Sequence, residues 1–126
     1  MTNEEFNVHV SSFFSFIDGI GKVKGREYSG AIDGKDDRLA NFKRLAVKLG
    51  VTPETVCLIY GTKHLDSIDT FVKTIQRTGE IPAQLSEPIE GRFHDAVLYM
   101  ILLSALVAER KFAHGINTPT ELDNPF

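Results

Sequence analysis

The stretch Ser86–Phe112, SEPIEGRFHDAVLYMILLSALVAERKF, decides the fold class of this chain. Ser86, Glu87 and Pro88 have the chemistry of a helix start: a hydroxyl to cap, an acidic group for the helix dipole and a proline with a helix-compatible φ. From Ala96 to Ala108 the side chains are apolar except for Ser104. A bilayer span needs about 20 apolar residues, so this run reads as a buried helix and not as a membrane segment. Its apolar surface goes all the way round, which predicts a central position in a helical domain.

Upstream, TPETV gives the clearest helix start in the chain. Thr52 is placed to cap, Pro53 stands at the first helical position and Glu54 complements the dipole. That helix is expected to run to about Arg77, before Gly79. Leu39, Phe42, Ala46 and Leu49 mark the apolar face of a shorter helix that Asp36 or Asp37 can cap and Gly50 ends. Near the N-terminus Phe6, Val10, Phe13, Phe14 and Ile17 follow helical spacing, with Asn3 as the expected cap and Gly19 as the expected stop. Gly19, Gly21, Gly25, Gly30 and Gly34 predict a long glycine-rich loop over residues 19–36, in which VKGREYSGAI admits a short hairpin. The expectation is an all-α four-helix bundle, with helices near 3–18, 37–49, 53–77 and 87–112 and that loop between the first two. Residues 1–112 form one helical domain, and residues 113–126 a polar tail.

The 126 residues suit one domain. Nine Phe without Trp point to a packed interior more than to an aromatic binding surface. The net charge of −3 provides no global field to draw the protein to long nucleic acid. The basic residues are concentrated, however, between Lys22 and Lys48. Cys57 is the single cysteine, so no intrachain disulfide and no thiolate metal cluster is possible. Together with a start, MTNEEF, that lacks a basic and apolar leader, this predicts a cytoplasmic protein.

Polar residues on apolar faces carry the functional signal. Val56, Ile59, Tyr60, Ile68, Val72 and Ile75 define one face of the third helix, and Lys63, His64 and Ser67 interrupt it. Charges at such positions require partners. A polar ligand pocket competes here with a helix that leaves the core for one turn, its lysine reaching out to solvent. On the fourth helix Asp95 and Tyr99 share a face one turn apart, which makes Asp95 a candidate partner of Lys63 or His64. Glu87, Glu90 and His94 at i, i+3 and i+7 have the spacing of a bundle metal site, and also that of a solvated helix start beside Arg92. In GIGKVKG, residues 19–25, backbone amides and Lys22 and Lys24 suit phosphate, although the spacing is not that of a P-loop.

KGREYSG, RLANFKRLA, TPETV, KHLDSI and SEPIEGRFHDAVLYMILL follow one another in an order that resembles the MazG-like, all-α nucleotide pyrophosphohydrolases. The likeness is to phage and prophage proteins of the nucleotide-modification-associated branch. It spans roughly residues 22–108, and the matching positions are Lys24, Tyr28, Asn41, Thr52, Pro53, Glu54, Lys63, Asp95 and Tyr99. The resemblance implies a helical bundle that handles nucleotides, with phosphates met by basic residues; together with the polar breaks at Lys63, His64 and Asp95 and the basic loop that carries Arg26, it gives Lys24, Arg26, Tyr28, Lys63, His64, Asp95 and Tyr99 as the candidate ligand-binding residues. Catalytic members hold Mg²⁺ on a Glu-Glu-x-x-Glu helix and a Glu-x-x-Asp helix. Here Glu4 and Glu5 are followed by Val8 and His9, and Glu90 and Asp95 are five apart. Fewer hard oxygen ligands weaken Mg²⁺ binding. The expected function is therefore a non-catalytic, oligomeric protein that binds, and in a phage setting sequesters, a small nucleotide. The alternatives are a Mg²⁺-dependent nucleoside triphosphate pyrophosphohydrolase and a helical adaptor or inhibitor of another protein.

Overall fold

Thr2 and Glu5 start the chain with a reciprocal cap. The Glu5 N–H donates to Thr2 Oγ1 at 3.1 Å, and the Thr2 N–H donates to Glu5 Oε2 at 2.6 Å. The cap is therefore Thr2 and not Asn3. The computed structural model describes residues 1–28 and 37–115, and the side chains only outside 26–28. Its elements are α1 (Asn3–Tyr28), α2 (Ala40–Leu49), α3 (Pro53–Thr78) and α4 (Ile89–Ala113), with no strand among the described residues.

The first difference from the sequence expectation is α1. It does not stop at Gly19 but continues through Gly21 and Gly25 to Tyr28. The expected loop thus loses its first half, and the hairpin gives way to helix over residues 23–28; residues 29–36 lie outside the described residues. A glycine inside a helix costs about 1 kcal/mol relative to alanine, and packing offsets that cost here. A β-carbon on Gly25 would stand 2.8 Å from Nε and 2.9 Å from Cδ of Arg38. Without one, Arg38 lies against the helix, with Nη2 3.5 Å from the Gly21 carbonyl. At Gly21 a β-carbon would stand 3.6 Å from Leu98, so glycine brings α1 close to α4.

The other helices start and stop nearer the expected places. The Asp37 carboxylate accepts from the Leu39 N–H at 3.0 Å just before α2. Gly50 ends α2 with φ of 68°, a left-handed conformation that glycine adopts without steric cost. Thr52 caps α3, its hydroxyl accepting from the Thr55 N–H at 3.2 Å. The start of α4 differs: Pro88 precedes it, no side chain caps it, and Ser86 lies outside the helix.

The seam between α3 and α4 is the most extensive contact. Helix α2 packs on α3 and helix α1 on α4. Ile17, Leu39, Phe42, Val56, Cys57, Leu98, Leu102 and Leu106 meet in one core. The apolar ring of α4 is not fully covered, since Met100, Ile101 and Val107 remain at least 40% exposed. The central element is thus the α3–α4 pair rather than α4 alone.

Candidate functional site

Three helices bring polar side chains to one place on the α3–α4 seam. Asp95 on α4 is its centre. Lys24 from α1 places Nζ 3.2 Å from Asp95 Oδ1. His64 from α3 places Nδ1 3.8 Å from Asp95 Oδ2, beyond hydrogen-bond length. One turn earlier on α4, Arg92 places Nη1 3.4 Å from the same His64 Nδ1 and Nη2 3.0 Å from Glu87 Oε2. The His64 side chain is 12% exposed and Asp95 21%, so both are largely withdrawn from water.

Burial pushes the His64 pKa below its ordinary 6.5. Asp95 acts in the other direction, and the positive charges of Arg92, Lys63 and Lys24 oppose it. His64 is accordingly neutral near pH 7. A neutral ring lets Nδ1 accept from Arg92, which fits the 3.4 Å approach, and leaves Asp95 to Lys24.

An aromatic wall adjoins the charges. The His64 and Tyr99 rings lie 5.2 Å apart. Tyr99 meets Tyr60 at 6.4 Å and Phe42 at 6.3 Å, both edge-on. Gly61 is buried beneath this wall, and a β-carbon there would stand 3.3 Å from Tyr99 Cβ. The missing side chain lets α3 and α4 approach closely where the site is built.

The structure therefore gathers Lys24, His64, Asp95 and Tyr99. Lys63 is exposed beside them and makes no ion pair among the described residues. The side chains of Arg26 and Tyr28 lie outside the described residues. Asn41 is partly buried, with Oδ1 sealed from solvent and lacking a hydrogen-bond partner. Thr52, Pro53 and Glu54 serve the start of α3, and Glu54 is clamped by Arg110 through two contacts of 2.8 Å. Arg92, which the sequence sets beside a solvated helix start, belongs to the site instead, and Gly61 joins it without having been expected. Arg92, Asp95 and Tyr99 at i, i+3 and i+7 share one face of α4, and that spacing is the signal for Arg92. Nothing in the sequence singles out Gly61.

The spacing that suggested a metal site at Glu87, Glu90 and His94 does not produce one. Glu87 turns to Arg92, and Glu90 is exposed. The His94 ring lies between Phe13 and Phe16 of α1, with centroids 4.6 and 4.3 Å away. Among the described residues no three His, Cys, Asp or Glu side chains are grouped to hold a metal ion. Among the described residues the donor set thus does not fit the Mg²⁺ that the resemblance implies for catalytic relatives: Asp95 is engaged by Lys24, Glu54 by Arg110 and Glu87 by Arg92.

No protein-family model matches the chain, and no curated protein or solved structure is significantly similar to it. No helix among the described residues is long and apolar enough to cross a membrane.

Proposed function

We propose that the chain binds a small phosphate-bearing ligand, a nucleotide, at Asp95 and its neighbours and does not cleave it. The observation that carries this reading is the convergence of Lys24 from α1 and His64 from α3 on the largely buried Asp95 carboxylate of α4, with Arg92 against the same His64 ring. The cluster is balanced at rest, with Lys24 against Asp95 and Arg92 against Glu87. A phosphate group would compete with these carboxylates for the two cations, and Lys63 adds positive charge at the rim. Ammonium and guanidinium groups are the usual phosphate partners, through charge-assisted hydrogen bonds. The faces of Tyr60 and Tyr99 suit a base or ribose. The departures from the two acidic metal motifs, and the engagement of nearby carboxylates by cations, favour binding over hydrolysis.

Titration calorimetry with nucleoside triphosphates and cyclic nucleotides tests the reading. Lys24→Ala and Arg92→Ala are each expected to weaken binding at least about tenfold, since a charge-assisted bond contributes about 1.5–3 kcal/mol. Lys63→Ala is expected to weaken it less. Binding unaffected by Lys24→Ala and Arg92→Ala would remove the site, and no binding to any nucleotide would remove the function. Pyrophosphate release with Mg²⁺ and a triphosphate would instead support the hydrolase.

A further inference from the structure

The two cations of the site have counter-ions that differ in their access to water. Arg92 pairs with Glu87, whose side chain is 61% exposed, and Lys24 pairs with Asp95, whose side chain is 21% exposed. A phosphate that takes Arg92 lets Glu87 turn out into solvent at little cost. A phosphate that takes Lys24 leaves Asp95 behind. That carboxylate is held on α4 at the α3–α4 seam, and a charge withdrawn from water without a partner is strongly unfavourable.

The cluster does not supply a full replacement for Lys24. Among the described residues the other ionisable group that meets Asp95 is His64, whose Nδ1 stands 3.8 Å from Oδ2 and is approached by Arg92. Nδ1 serves one oxygen at most, so Oδ1, the oxygen that Lys24 holds, would still need a donor. If the Lys24 ammonium group keeps Asp95 and accepts phosphate as well, two anions share one cation and repel each other. In both cases a bare phosphate is a poor ligand here. The donors that Asp95 needs then come from the ligand itself.

We infer, resting on the nucleotide reading above, that Asp95 selects the ligand: beside its phosphate the ligand carries two neighbouring hydrogen-bond donors that span a carboxylate. An ionised carboxylate has two acceptor oxygens and no donor, so it fits a donor pair and rejects an acceptor. Two parts of a nucleotide have this chemistry, the cis-diol of a ribose and the N1–H and 2-amino edge of guanine. The pairing edges of the other bases mix donors with acceptors. Tyr99, one turn beyond Asp95, and Tyr60 beside it offer the sugar or the base an aromatic surface next to the carboxylate. Lys24 acts as an exchangeable counter-ion, holding Asp95 before the ligand arrives and turning to the phosphate once the ligand's donors take its place.

Calorimetry of the full chain tests this with inorganic triphosphate, ATP, GTP, their 2′-deoxy forms and ITP. Wild type is expected to bind its best nucleotide at least about tenfold more tightly than inorganic triphosphate, which has the phosphates without the donors. A loss of similar size in both 2′-deoxy forms assigns the diol, and a preference of similar size for GTP over ITP and ATP assigns the guanine edge. Asp95→Asn keeps the shape and removes the charge. It is expected to bind inorganic triphosphate about tenfold more tightly than wild type does and to lose the preference among nucleotides. Wild type that holds inorganic triphosphate as tightly as any nucleotide, or that binds all the nucleotides alike, would overturn the inference and leave the nucleotide reading standing. An Asp95→Asn variant as selective as wild type would do the same. Binding of none of these compounds would remove the nucleotide reading and the inference with it.

Discussion

His64 Nδ1 faces Asp95 Oδ2 at 3.8 Å across the α3–α4 seam without bonding to it, while Arg92 occupies the same nitrogen at 3.4 Å. Burial holds the imidazole neutral and its pKa below 6.5. The unfolded chain therefore binds the proton more readily than the folded one, and stability falls as pH drops through 6.5 toward the folded value. His64→Gln is expected to flatten that part of the stability–pH curve. Chemical denaturation across the window checks it, and an unchanged slope would show that another group is responsible.

The same linkage gives the binding reading a pH signature. A phosphate beside His64 favours the imidazolium, so ligand binding takes up a proton. Affinity is expected to rise as pH falls toward 6.5. Calorimetry in buffers of different ionisation enthalpy measures the uptake, which His64→Gln is expected to abolish.

Gly61 sits where α3 passes closest to Tyr99. An alanine there meets Tyr99 Cβ at 3.3 Å, tight but yielding, and gains helix propensity. Gly61→Ala is therefore expected to change stability by less than about 1 kcal/mol, whereas Gly61→Val is expected to cost about 1–3 kcal/mol by overpacking. Thermal unfolding of the pair reads the difference. Equal stabilities would mean that the seam is looser than the contact indicates.

Cys57 is fully buried, its thiol donating toward the Tyr99 carbonyl at 3.5 Å. Burial, and after it the charge of Glu54, pushes the thiol up to about 11. The thiolate is the reactive form, so native protein is expected to resist a thiol-specific reagent that labels the denatured chain fully. Rapid labelling under native conditions would show that the seam opens.

Leu106 and Val107 are neighbours on α4 with opposite surroundings, 3% and 40% exposed. Leu106→Ala is expected to cost about 2–5 kcal/mol, and Val107→Ala well under half as much. Denaturant midpoints of the two variants check which face of α4 meets the core.

Features that depend only on neighbouring residues were legible in the sequence. Thr52 and Pro53 start α3 because capping needs only neighbouring atoms, and Gly50 ends α2 because a left-handed turn favours glycine. Apolar spacing marked the helices, and the breaks at His64 and Asp95 marked polar positions that the fold brings together. Tertiary structure decided what depends on distant partners. Arg38 and Leu98 make helix at Gly25 and Gly21 worth its cost, so glycines that read as a loop lie inside α1. Phe13 and Phe16 take His94 away from the carboxylates its spacing suggested, and Lys24 reaches Asp95 across 71 residues of chain. Helical periodicity tells which residues share a face, but which face meets which is settled by packing between helices.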